Sequence, residues 1–215
     1  MSPSTMALEP LTPEKRRRQT RDHLLEAAAQ VLAERGFHGA SLDEVAAAAG
    51  FTKGAVYSNF KNKEDLFLAL LETLHAREME DLHRVLEASE VPPESRLSDF
   101  VALYRAEAGQ LPGNWAALYL EFCVYAVRNP EARRRLAQLD AAAVDSIADL
   151  LETERTRRGI ETTESARHMA LFIQAFSRGV GIMRAIDPDT VDEPFLEAAI
   201  ELLARGLVPQ DPPAP

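Results

Sequence analysis

Between residues 41 and 63 the apolar positions recur every three or four residues: Leu42, Val45, Ala46 and Ala49, then Val56 and Phe60 after a break at Gly50. The spacing predicts two short helices joined by a tight turn. Ser41 opens the sequence S-L-D-E, a capping box in which the hydroxyl accepts from the Glu44 amide and the Glu44 carboxylate reaches back. Gly50 stops the first helix where a left-handed residue is wanted, and Thr52 is a good N-cap for the second. Thr52, Lys53, Gly54, Ala55, Tyr57, Ser58 and Asn59 form its small or polar outer face. Asn62 caps a third element that starts Lys63-Glu64-Asp65, with acids where the helix dipole favours them. This is the plan of a helix-turn-helix, whose second helix enters the DNA major groove.

The same period runs through the rest of the chain, punctuated by proline and glycine. Thr12-Pro13-Glu14 starts a first helix with a buried stripe of Leu24, Leu25, Ala28, Val31 and Leu32 before Gly36. A long helix from Lys63 to about Ala88 carries Leu66, Phe67, Leu70, Leu71 and Leu74 and ends before Pro92-Pro93. Further helices are predicted near 94–109, 114–128, 130–158, 164–186 and 193–207. The fold class is therefore all-α: a three-helix DNA-binding domain over 12–62 and a helical bundle for regulation and dimerisation over 63–208. Residues 1–11 and 209–215 read as disordered tails, the first also as an arm able to reach into a groove.

At the quoted positions the chain resembles the tetracycline-repressor (TetR) family of bacterial transcriptional regulators. The family pattern is carried by Ser41-Leu42, Val45-Ala46, Ala49-Gly50-Phe51-Thr52, Gly54, Val56-Tyr57, Asn59-Phe60 and Lys63-Glu64-Asp65-Leu66. The match covers about the first third of the chain. Phe51, where valine is usual, and Asn59, where histidine is commoner, depart from it. The resemblance implies a small-molecule pocket and a dimer interface in the C-terminal half.

Charge changes the picture once it is divided. The whole chain carries −10, yet residues 1–63 carry +2 and the remainder −12. The basic excess sits at Lys15-Arg16-Arg17-Arg18 and Arg21, placing Arg17 and Arg21 as phosphate contacts, while the acidic body is repelled by a phosphate backbone. Lys53 can donate to guanine, the Ala55 methyl can rest on thymine, and Gly54 permits close approach. Tyr57 and Lys63 suit flanking phosphates, as do the amides behind Ser41 and Thr52. A single cysteine, Cys123, excludes an internal disulfide and fits a reducing bacterial cytoplasm. No uninterrupted apolar span approaches ~18 residues, so neither export nor membrane insertion is implied.

Tyr104, Trp115, Tyr119, Phe122, Cys123, Tyr125, Met169, Phe172, Phe176 and Met183 could line a cavity, with Gln174 and Arg178 as polar anchors. Core packing is the favoured reading for any one of them, since apolar residues at helical spacing need no ligand to explain them. If they do form a pocket, the bulky, mostly uncharged set favours an apolar or aromatic effector. Ile173, Phe176, Val180, Gly181, Phe195, Leu196, Ala199, Ile200 and Leu203 make the last two helices apolar over much of their surface. A four-helix interface between two copies would cover them; burial within the monomer is the other reading. His75 and His83 share a helix face but stand ~12 Å apart by helical rise, too far to share one ion. No catalytic motif, metal site or cofactor is expected. The sequence reads as a homodimeric, ligand-responsive repressor of a palindromic duplex operator. The alternative is a helical small-molecule-binding or interaction protein whose motif no longer binds DNA.

Overall fold

The computed structural model describes residues 12–87, 115–159 and 164–207, which form eight helices and no strand. The expected helix at 94–109, Tyr104 and both expected tails lie outside the described residues. Helix α1 spans Pro13–Gly39, opened by the Thr12 hydroxyl accepting from the Lys15 amide at 3.3 Å. Helices α2 (Leu42–Ala48), α3 (Lys53–Asn59) and α4 (Lys63–Glu87) follow. Their caps are local chemistry realised. Ser41 Oγ accepts from the Glu44 amide at 3.2 Å while Glu44 Oε2 accepts from the Ser41 amide at 2.9 Å. Thr52 Oγ1 accepts from Ala55 N–H at 3.2 Å, and Asn62 Oδ1 from Asp65 N–H at 2.8 Å. Gly50 turns the corner at φ 70°. Helix α5 is Trp115–Arg128, α6 Pro130–Arg158, α7 Ala166–Ile186 and α8 Glu193–Leu207.

Gly36 ends the regular part of α1, and the helix resumes beyond a kink at φ 70°, ψ 171°. The kink turns the Phe37 amide towards α5, where it donates to Glu121 Oε2 at 2.7 Å. A Cβ on Gly36 would lie 2.8 Å from both Glu121 carboxylate oxygens, in a backbone region that L side chains avoid. Gly36→Ala is accordingly expected to cost about 1–3 kcal/mol. Urea denaturation checks this, and an unchanged midpoint would contradict the fit.

The main core does not stop at residue 62. Leu24, Leu32, Phe37, Val45, Val56, Phe60 and Phe67 join Leu118, Phe122, Ala126 and Leu136 in one buried cluster. Phe122 is fully buried, with its ring centroid 4.3 Å from Phe67 and 4.9 Å from Phe37. Polar ties run alongside. Tyr125 donates to Glu64, and Arg135 bonds Asp65 at 2.6 Å, both on the first turn of α4. Two satellite clusters complete the interior. Met79 and Leu150 link α4 to α6, while Val180, Val191 and Leu196, backed by Phe176, hold α8 on α7.

Helix α7 is long and apolar enough to cross a membrane by length and composition, with a mean hydropathy of 1.2 over its best window. Arg178 nevertheless anchors it to α6, with a two-pronged bond to Asp140 at 2.5 and 3.1 Å. Its outer face carries the exposed residues Leu171, Phe172, Met183 and Ile186.

Candidate nucleic-acid interface

Val56 and Phe60 are buried beneath α3, which turns the other face of that short helix outward. Thr52, Lys53 and Gly54 are exposed on its first turn, with Ala55 half-buried behind them. Tyr57 is 55% exposed, so its hydroxyl is open to solvent rather than committed to the core. Ser58 and Asn59 bond back to the Ala55 carbonyl at 2.9 and 2.8 Å, which leaves them lining α3. Ser41 is exposed, but its amide and hydroxyl both donate to Glu44.

The basic residues divide. Arg17 is exposed on α1. Arg21 is half-buried, its guanidinium stacked 4.6 Å above the Phe60 ring and donating to the Asn59 carbonyl at 3.4 Å. It thereby ties α1 to the end of α3, a positioning contact that sequence reading missed.

Lys63 is held more firmly than a free surface lysine. Its ammonium donates to the His38 carbonyl at 3.0 Å and the Ala40 carbonyl at 2.8 Å, and it lies 4.9 Å from the Phe37 ring centroid. Burial lowers its pKa from the ordinary lysine value, against the pull of Glu121 and Glu44. These bonds satisfy carbonyls left over at the end of α1. Lys63→Ala is expected to cost about 1–2 kcal/mol of stability, besides weakening DNA binding equally for all sequences. Thermal melts alongside binding to two unrelated duplexes check both parts. A variant of unchanged stability would contradict the tethering role.

Lys53 has a partner that sequence reading also missed. Its ammonium pairs with Asp43, which raises the lysine pKa through the hydrogen bond and the carboxylate charge. Asp43 is the second residue of α2 and stands ten positions away, so only the helix-turn-helix geometry brings the two together.

The residues read as a pocket are dispersed. Phe122 is core, and Tyr125 packs beside it at the junction with α1. Trp115 stacks on Phe67 with centroids 5.9 Å apart. Tyr119 lies under the Arg178 guanidinium beside Cys123, and burial raises the pKa of both hydroxyl and thiol. Met169 and Gln174 are half-buried on α7, whereas Phe172 is exposed and stacks towards Phe176. An open groove of about 860 Å³ lies elsewhere, between α4 and α6, lined by His75, Met79, His83, Leu139, Ala142, Asp149 and Leu150 among others. Among the described residues, none of those read as a pocket lines it.

The expected interface residues divide too. Val180 and Leu196 are buried within the chain, under α8 and α7 respectively. Ile173, Gly181 and Ala199 are half-buried, and Phe195 is exposed. The side chains of Ile200 and Leu203 lie outside the described residues. The exposed apolar stripe follows another register: Phe172, Met183 and Ile186 on α7, with Phe195 and Leu202 on α8. Among the described residues no three His, Cys, Asp or Glu side chains gather in a way that could hold a metal.

This geometry is that of a helix-turn-helix protein, and comparison with known sequences gives the family. Residues 24–70 match the profile "Bacterial regulatory proteins, tetR family", and residues 93–209 match "BetI-type transcriptional repressor, C-terminal". The chain belongs to the TetR family of bacterial transcriptional regulators. It is 34% identical over 103 residues to the transcriptional repressor DhaR of Mycobacterium sp. strain GP1, covering 46% of this chain and 52% of that one. It is 25% identical over 145 residues to the regulator AcrR of Shigella flexneri, covering 66% and 57%. The chain thus spans about half the length of these curated relatives. A crystal structure of a transcriptional regulator from Rhodococcus sp. Rha1 superposes with a TM-score of 0.64 at 26% identity, covering 87% of this chain and 95% of that one. The TetR family is one of transcriptional regulators rather than enzymes.

Proposed function

We propose that this regulator is a cytoplasmic homodimer that represses transcription from a palindromic operator and is released by a small molecule. The observation that carries the reading is the exposed first turn of α3, Thr52 to Ala55, held on a buried base of Val56 and Phe60. Lys53 reads a base edge, and Tyr57, Arg17 and the third N–H of Lys63 meet phosphates. The DNA-binding unit ends near residue 62, although its core is shared with α5. The stripe formed by Phe172, Met183, Ile186, Phe195 and Leu202 supports pairing of two copies, because a charged monomer has little reason to expose it. Paired copies would set their α3 helices about 34–36 Å apart, one turn of duplex.

The effector reading rests on the groove between α4 and α6, whose apolar floor of Met79, Leu139 and Leu150 suits a ligand with an apolar body. Helix α4 runs from that groove to the interface, so a ligand preferring a different α4 position would draw the dimer away from DNA. Loosening the operator ~100-fold requires about 2.7 kcal/mol of differential affinity. The test of the basic reading is a salt titration of binding to duplex DNA. Affinity is expected to fall steeply and linearly on logarithmic axes. Binding that is absent, or indifferent to salt, would overturn it.

A further inference from the structure

The contact between Lys53 and Asp43 has a consequence for specificity. Lys53 is the first residue of α3, and its side chain is 69% exposed. Its ammonium is not idle in the free protein: Asp43 Oδ2 holds it, while Asp43 Oδ1 is covered and has no hydrogen-bond partner. The carboxylate takes its cationic partner from Lys53. It stands on the first turn of α2, paired with the exposed first turn of α3 that the proposed function assigns to DNA.

We propose that Asp43 is a specificity-determining residue that competes with DNA for Lys53, so that the lysine is surrendered only where the duplex offers a better acceptor. The inference rests on the reading of Lys53 as a base contact. A guanine presents two acceptors, O6 and N7, to one ammonium and can replace the carboxylate. A lone phosphate offers a point charge, and taking Lys53 to it strands Asp43 beside other phosphates. Either transfer breaks the pair; a phosphate only replaces one anionic partner with another, whereas a guanine engages the ammonium through two acceptors at once, so the preferred site alone recovers the loss. A surface ion pair is worth little in absolute terms, which suits a contact that must exchange readily. Asp43 is in this way a filter on sequence rather than a brake on all binding.

Asp43→Asn keeps the shape and an acceptable residue near the start of α2 while removing the charge. The experiment measures the affinity of wild type, D43N, K53A and the D43N/K53A double variant for two duplexes. One duplex is the site selected by the wild-type protein from random DNA, and the other is a scrambled duplex of equal length. D43N is expected to tighten scrambled DNA by about three- to ten-fold and the selected site by less than about two-fold. The salt slope on scrambled DNA should steepen by about one unit as Lys53 joins the phosphate contacts. In the K53A background, D43N should change both duplexes by the same factor, because only its general charge effect remains. An equal change on both duplexes with Lys53 present would overturn the filter, as would a selective loss on the selected site, which would make Asp43 itself a reader. If K53A leaves the preference between duplexes intact, the base-reading role of Lys53 fails and the inference goes with it. If K53A relaxes the preference while D43N acts uniformly, only the filter fails.

Discussion

Phe122→Ala is expected to remove about 3–5 kcal/mol of stability, the usual cost of emptying a phenylalanine site in a packed core. The ring is completely buried and meets Phe37 from the kinked end of α1 and Phe67 from α4. Deleting it opens a void where three helices converge, and one of them, α1, belongs to the DNA-binding half. The loss should therefore be felt there as well as in the C-terminal body. Trp115, the single tryptophan, stacks on Phe67 and reports on the junction by fluorescence. Its unfolding transition should coincide with that of the helical circular dichroism signal, both shifted together to lower urea. A loss below about 1 kcal/mol would contradict a shared core. So would a fluorescence transition well separated from the helical one.

Charging the outer stripe should have the largest effect on DNA binding. Phe172→Glu combined with Ile186→Glu places two carboxylates on α7 at positions that are 58% and 79% exposed, so the monomer should keep its helical content. A dimer would have to bury both, and sedimentation should show a monomer. Losing the second recognition helix removes the gain from two-site binding, and operator affinity is expected to fall about 100-fold or more. A variant that stays dimeric would place the interface elsewhere. A folded monomer that binds the operator as tightly as wild type would refute the two-fold reading.

Much of this fold was legible because its signals are local. The capping box at Ser41, the turn at Gly50 and the Asn129-Pro130 start of α6 each depend on a few adjacent residues and on backbone groups that need partners. Contacts between distant segments were not legible. Phe37 and Phe122 are 85 positions apart, and nothing in either neighbourhood announces the other. Periodicity showed that Phe122 and Tyr125 point inward, but an inward side chain reads alike whether it meets a ligand or another ring. On the last two helices the same ambiguity ran the other way. Val180 and Leu196 satisfy each other's helix, and of the residues left uncovered, Met183 and Ile186 lie three and six positions beyond Val180 along α7. The partners of the lysines were hidden for a third reason. Lys63 and Lys53 are charged and near the motif, which suggests phosphates or bases, yet their first partners are two backbone carbonyls and a carboxylate.

A pair of α3 helices that reads two successive major grooves leaves a defined mark on its site. That mark is tested most directly by selecting a site from random DNA with the wild-type protein and footprinting it with hydroxyl radicals. The account predicts a site with two-fold symmetry and two protected patches on one face of the duplex, their centres one helical turn or a whole multiple of it apart. Recovery of sequences with no shared symmetric pattern, or protection that is uniform along the duplex, would contradict it.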